Sequence, residues 1–184
     1  MMNFACVCYG DKYPVEYVQK LYNMVQRNTT IDHKFIVFTD HVKMHKMVSG
    51  DIDIRKFPVE DLNGWWNKLQ LFHPNSHLDG TTLYMDLDVV ITGNIDCFFN
   101  HNAEAIFTGM NDFNPSTGQW NSSVMKFKSA FLAEKLWFRF MDDRPNLLRR
   151  FAGDQNLISD FIKETPGCES YPDSWTQSYK WYDR

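Results

Sequence analysis

Apolar residues in this chain fall into short runs and helical stripes that alternate nearly from its start. Residues 3–9 predict a first strand, which ends at Gly10-Asp11-Lys12-Tyr13. Pro14 suits the first turn of a helix, and Val15, Val18, Leu21, Tyr22 and Val25 then recur at helical spacing, with Glu16 near the positive end and Lys20 and Arg27 further on. Residues 34–38 and 52–57 predict the next two strands, stopped by Thr39-Asp40 and by Pro58. Residues 64–72 predict a helix packed on the sheet, with Trp65, Leu69 and Phe72 on one face and Pro74 closing it. Residues 81–88 read as the central strand, and residues 95–99 as a short apolar segment. Strands at 105–108 and 123–127 flank a polar loop from Asn111 to Gln119, long enough to suggest a functional role. Residues 129–141 predict a helix with Leu132, Leu136, Trp137 and Phe140 on one side. Gly153-Asp154-Gln155 opens a last helix carrying Leu157, Ile158, Phe161 and Ile162, and the tail from Thr165 shows aromatics without a period. Strands alternating with helices predict an α/β fold, with no internal repeat or interdomain linker.

The stretch Leu83-Tyr84-Met85-Asp86-Leu87-Asp88-Val89-Val90-Ile91 interrupts an apolar strand with two acids. Were the strand to continue regularly, Asp86 and Asp88 would leave from one face, close enough to repel each other. A divalent cation resolves that conflict. Oxygen ligands favour Mg²⁺ or Mn²⁺, and a carboxylate pair with open positions completes the shell with phosphates and water. The pair stands at the C-terminal end of its strand, where open α/β sheets place ligands.

At 184 residues, 43% hydrophobic and 16% aromatic, the chain is expected to be one domain, 1–184, with an aromatic-rich core or cleft. The formal charge of 19 − 23 = −4, without long like-charge runs, gives no footprint for nucleic acid or an anionic membrane. The first residues lack the basic start and apolar core of a signal peptide, and no apolar run reaches the roughly 18 residues of a membrane span. A cytoplasmic protein with no transmembrane segment is expected. Cys6, Cys8, Cys97 and Cys168 lack C-x-x-C spacing and read as reduced, packed thiols.

Other constellations are weaker. His41 and His45 stand four apart, but no third ligand follows at suitable spacing. Neither a G-x-G-x-x-G nor a Walker-type loop occurs, and no Ser/His/Asp set stands out. Asp154 has the position of a helix N-cap, and Lys68 that of a solvated helical lysine, beside two tryptophans and an asparagine that favour a cleft-facing place. Asp86-Leu87-Asp88-Val89-Val90 also fits the first motif of haloacid-dehalogenase-like Mg-dependent phosphatases, with Asp142-Asp143 as the later acidic pair. Against that alternative, some 80 residues and three predicted strands precede the motif.

Trp66-Asn67-Lys68-Leu69-Gln70-Leu71-Phe72, then the Asp86/Asp88 stretch with Gly93-Asn94-Ile95-Asp96, then Asn121-Ser122-Ser123-Val124-Met125, then Gly153-Asp154-Gln155, resemble in their order the motifs of GT-A glycosyltransferases with a D-x-D motif, near the family 8 and family 24 types. The resemblance implies a Rossmann-like fold with a mixed, mostly parallel sheet, residues 1–90 binding the nucleotide and 91–184 the sugar and acceptor. It implies a metal-dependent transfer from a nucleotide sugar, UDP-linked in preference to GDP-linked, to a glycan, lipid or protein acceptor, with Mn²⁺ or Mg²⁺. Carried over by position, Cys8, Tyr9, Asp11, Tyr13, Thr39 and Asp40 would hold base and ribose, and Lys68 would meet ribose or phosphate. Asp86 and Asp88 would ligate the metal, Asn121, Ser122 and Ser123 would line the sugar pocket, and Asp154 and Gln155 would lie opposite the anomeric carbon. Ser178-Tyr179-Lys180 resembles a segment that folds back on the diphosphate, with Lys180 neutralising charge. The family 8 pattern has a metal-ligating histidine near the C-terminus, and no histidine follows His101 here. A non-catalytic nucleotide- or sugar-binding module is the remaining alternative.

Overall fold

Period-two alternation in the strands decides which side chains meet which layer of helices. In β1 (Met2–Cys8), Phe4, Cys6 and Cys8 point to one layer and Ala5 to the other; in β2 (His33–Thr39), Phe35 and Val37 oppose Ile36 and Phe38. In β4 (Thr81–Met85), Leu83 and Met85 oppose Tyr84. Both faces are apolar, so the sheet is covered on both sides.

The computed structural model describes residues 2–181. Seven strands form one sheet in the order β3-β2-β1-β4-β6-β5-β7, with β3 at Ile52–Arg55, β5 at Phe107–Asn111, β6 at Trp120–Lys128 and β7 at Cys168–Ser170. The pairs β3/β2, β2/β1, β1/β4 and β5/β7 are parallel, while β6 runs antiparallel to β4 and β5. The mixed, mostly parallel sheet is therefore as expected. From β1 the chain moves outward to β2 and β3, then returns to β4 on the other side of β1. The crevice beyond the C-terminal ends of β1 and β4 is thus a topological switch point.

One face carries α1 (Glu16–Asn28) and α2 (Asp96–Asn100). Val18, Leu21 and Val25 bury the apolar stripe of α1 against Phe4, Phe35 and Val37. The other face carries a 3-10 helix, Gly64–Phe72, then α3 (Ser129–Leu132), a π-turn (Ala133–Trp137), α4 (Phe138–Asp142), α5 (Arg144–Arg150) and α6 (Asp154–Lys163). Among the elements not expected from the pattern are β7, three residues long, and α5, whose Arg144-Pro145-Asn146 start masks a short helix.

Residues 64–72 depart from the helical face their spacing predicts. Asn67 to Phe72 are all buried, whereas Trp65 is 60% exposed. The enclosure is possible because the polar residues are satisfied locally. Asn67 Nδ2 donates to the carbonyls of Leu62 and Gly64, both at 3.1 Å; Gln70 Oε1 accepts from the Val59 amide at 2.8 Å, and Gln70 Nε2 donates to Asn67 Oδ1 at 2.7 Å.

Candidate active site

Two cavities flank the turn that follows β4. The strand ends at Met85, so Asp86 and Asp88 do not continue its alternation as the sequence suggested. The Asp86 amide instead donates to the Ser123 carbonyl at 2.9 Å, and Val89 N to Asp86 O at 3.2 Å, closing a tight turn onto β6. The two acids border different cavities. Asp86 lines a cleft of about 280 Å³ with Trp65, Lys68, Ser122, Asp154 and Gln155, on the α6 side of the sheet. Asp88 lines a cavity of about 330 Å³ with Tyr17, Lys20, Arg27 and Val90, on the α1 side.

The α6-side cleft is organised by Lys68. Its ammonium lies 2.9 Å from Asp86 Oδ1 and 3.2 Å from Asp154 Oδ2, and donates to Ser122 Oγ at 3.1 Å. The Tyr84 ring lies 5.3 Å from the same nitrogen, and Tyr84 donates its hydroxyl to Asp86 Oδ1 at 2.5 Å. Lys68 is only 8% exposed. Burial depresses an ammonium pKa, but here Asp86 and Asp154 more than offset it and the net direction is upward. Burial, then the Asp86 charge, hold the Tyr84 phenol well above its ordinary value, so it remains a donor. Lys68 is not the solvated helical lysine of default expectation.

Around this cluster, the bulge of β6 matters. Pairing with β5 shifts between Gly109 and Met110, from Met125 to Asn121, which turns Ser122 into the cleft. Ser122 donates its hydroxyl to Asp154 Oδ2 at 3.0 Å, and Asn121 Oδ1 accepts from the Ser123 amide at 2.8 Å. Asp154 begins α6, 5% exposed, and makes no side-chain cap; it faces Lys68 instead of its own helix. Gln155 is fixed at both ends: Nε2 donates to Asp112 Oδ2 at 2.8 Å, and Oε1 accepts from Ser122 N at 3.4 Å. Asp112 belongs to the polar loop at 111–119, whose composition suggests a functional role without distinguishing this residue. Tyr84 joins the site without a motif of its own; its position two residues before Asp86 in an alternating strand is the signal that places it there.

The β1 and β2 ends form a separate, more exposed group. Gly10 has φ +60°, a left-handed conformation that glycine adopts freely, and its amide donates to Asp40 Oδ1 at 3.1 Å. Tyr13 donates its hydroxyl to Asp88 Oδ2 at 2.6 Å, tying the β1 loop to the post-β4 turn. Burial and then this carboxylate hold the Tyr13 phenol above its ordinary value. Tyr9 donates to Asn63 Oδ1 at 3.1 Å, and Cys8 Sγ lies 4.0 Å from the Tyr13 carbonyl. Thr39 is buried and accepts from the His41 amide at 3.0 Å, while Asp11 is exposed. Ser178, Tyr179 and Lys180 stand in or beside a 3-10 turn, Tyr179–Trp181; Lys180 is exposed and makes no hydrogen bond or ion pair among the described residues.

No group of three or more His, Cys, Asp or Glu that could hold a metal occurs among the described residues. Asp86 and Asp88, the metal ligands expected from the sequence, are thus not joined by a third such residue among the described residues. Asp86 accepts on Oδ1 and Asp88 on Oδ2, so each keeps one oxygen without a hydrogen bond among the described residues. Two such carboxylates fit a hard cation that takes its remaining ligands from phosphate and water. His41 bonds the Gly10 carbonyl at 2.9 Å and is not paired with His45. Asp142 and Asp143 lie at the α4–α5 junction, where Asp143 accepts from Asn146, with no bond to Asp86 or Asp88. No helix of the described residues is long and apolar enough to cross a membrane.

No protein-family model and no curated protein sequence matches the chain. Solved structures do. The glycosyltransferase GlyE of Streptococcus pneumoniae TIGR4 superposes with a TM-score of 0.69 at 16% identity, covering 94% of this chain and 46% of GlyE. The galactosyltransferase LgtC, solved with donor and acceptor sugar analogues, superposes with a TM-score of 0.69 at 13% identity, covering 91% of this chain and 72% of LgtC. The fold is thus that of GT-A glycosyltransferases, and the chain spans less than half the length of GlyE.

Proposed function

We propose that this chain is a glycosyltransferase that transfers a sugar from a nucleotide sugar, UDP-linked in preference to GDP-linked, with Mn²⁺ or Mg²⁺ as cofactor. The observation that carries the reading is the charge cluster in the α6-side cleft: the carboxylates of Asp86 and Asp154 against the ammonium of Lys68, with Asp88 two residues on in the same turn. A diphosphate approaching that set meets net negative charge, so its binding requires an added cation. Asp86 and Asp88 would hold that cation, which when bound neutralises charge on the leaving diphosphate. The fold shared with GlyE and with LgtC, captured with sugar analogues, supports the same reading.

In this assignment Tyr9, Asp11, Tyr13, Thr39 and Asp40, at the ends of β1 and β2, contact base and ribose. Lys68 is wired as the counter-charge of Asp86 and Asp154, with ribose or phosphate beyond it. Asn121, Ser122 and Ser123 line the sugar pocket. Asp154 and Gln155, each held by two partners, face the reacting sugar, where a fixed carboxylate and amide stabilise positive charge developing at the anomeric carbon. Lys180 is assigned to the diphosphate. Residues 1–90 serve the nucleotide and 91–184 the sugar and a glycan, lipid or protein acceptor. Calorimetric titration with UDP and GDP tests the reading. Binding in the presence of Mn²⁺, weakened at least tenfold by EDTA and by Asp88→Ala with an unchanged circular dichroism spectrum, is expected. No nucleoside diphosphate binding with metal present overturns it.

A further inference from the structure

Trp65 and Trp66 are neighbours with opposite fates. Trp66 stacks on Phe140, ring centres 6.0 Å apart and planes 14° apart, and is accounted for by the core. Trp65 is 60% exposed at the mouth of the cleft, and its ring has no aromatic or hydrogen-bonding partner among the described residues. A large exposed indole costs hydration free energy that packing does not recover here.

Its position is nevertheless built. Gly64 precedes it with φ +58°, a left-handed conformation that opens the 3-10 helix just before the indole. Gly153 lies beneath it. That glycine is extended, φ −172°, so its backbone suits any residue, yet a Cβ there would lie 3.0 Å from Trp65 Nε1 and 3.2 Å from Cδ1. A Cβ at 153 would press the ring outward by a few tenths of an ångström. The absent Cβ leaves the indole against the backbone that leads into Asp154 and Gln155.

An exposed aromatic face set beside carboxylate, amide and hydroxyl groups suits a pyranose. One face of such a ring presents C–H groups to an aromatic surface while its hydroxyls bond to polar neighbours. We propose that Trp65 is the stacking platform for a pyranose ring in the α6-side cleft, with Asp154, Gln155 and Ser122 meeting its hydroxyls. The proposal deepens the glycosyltransferase reading and rests on it. The ring belongs to the donor's sugar or to a sugar acceptor, and the two are separable.

The test uses the whole chain with Mn²⁺. In the donor arm, UDP, UDP-glucose and UDP-galactose are titrated into the wild type, Trp65→Ala, Trp65→Phe and Gly153→Ala. In the acceptor arm, methyl glucoside and methyl galactoside are observed by saturation-transfer NMR on the UDP-loaded proteins. A donor platform gives Trp65→Ala a loss of about three- to tenfold in UDP-sugar affinity with UDP affinity unchanged, and Trp65→Phe a smaller loss. An acceptor platform leaves both nucleotide affinities alone and removes the methyl glycoside signal. Gly153→Ala weakens the same arm, and adds nothing in a Trp65→Ala background, which separates a displaced indole from general damage. UDP binding with neither arm sensitive to Trp65→Ala, or with no sugar signal in the wild type, overturns the platform alone. Failure of every nucleoside diphosphate to bind the wild type overturns it together with the reading beneath it.

Discussion

On the α6 side of the Asp86–Asp88 turn, charge is buried and shared: one ammonium joins a 3-10 helix, the end of β4, the β6 bulge and the start of α6. In the cavity on the α1 side, charge is exposed and held singly. Asp88 has one partner, Tyr13, and Lys20 and Arg27 line the cavity without ion pairs among the described residues. The contrast separates two jobs. A buried ion cluster fixes the relative positions of groups that must not move, because breaking any contact strands a charge. An exposed acid with a free oxygen remains open to a ligand.

Lys68→Met probes the difference hardest. It leaves Asp86 and Asp154 facing each other without a counter-ion, and a loss of about 3–5 kcal/mol is expected in urea denaturation. The pH dependence sharpens the point. Because the Lys68 pKa is raised on folding, its contribution is whole below the ordinary lysine value, about 10.4, and is lost as pH rises through the folded-state value. The wild type should therefore lose more stability than Lys68→Met as the pH is raised above about 10.4.

The α1 side has its own pH limb, of opposite sign. Hydroxyl bonds from Thr29 at 2.5 Å and Thr30 at 2.6 Å, then the Thr30 amide, hold the Asp96 carboxyl well below the usual carboxylate range. A depressed pKa contributes stability above the unfolded value, about 3.9, that disappears as pH falls through the acid range. Asp96→Asn should flatten the acid limb of the melting temperature between about pH 5 and 2, leaving the alkaline limb intact. The smallest effect is expected at Tyr13→Phe. Its bond to Asp88 is exposed, so the cost should stay under about 1 kcal/mol in the same denaturation assay. A loss as large as that of Lys68→Met would abolish the distinction between the two sides.

Much of this architecture was legible in the residue order. The strands at β1, β2, β4 and β6 and the stripes of α1 and α6 lie where apolar periodicity predicts, since each buries a face against the sheet. The 3-10 segment departs from its apolar spacing because its burial depends on Asn67 and Gln70 bonding the loop at 59–64, a contact between segments that periodicity does not encode. Short elements such as β7 exist only by virtue of the strand they join.

Within the site, the sequence by itself determined the residue types, their order and the placement of two acids at a strand end. It supplied Lys68, Asp86, Ser122, Asp154 and Gln155 as separate candidates. Only the tertiary structure decided that Lys68 joins Asp86 to Asp154, that the two acids of the turn border different cavities, and that Trp65 is left exposed over Gly153. The reason is physical. Periodicity reports which side of its own element a side chain leaves from, whereas a charge's partner depends on which elements the sheet order and the β6 bulge bring within about 3 Å of it.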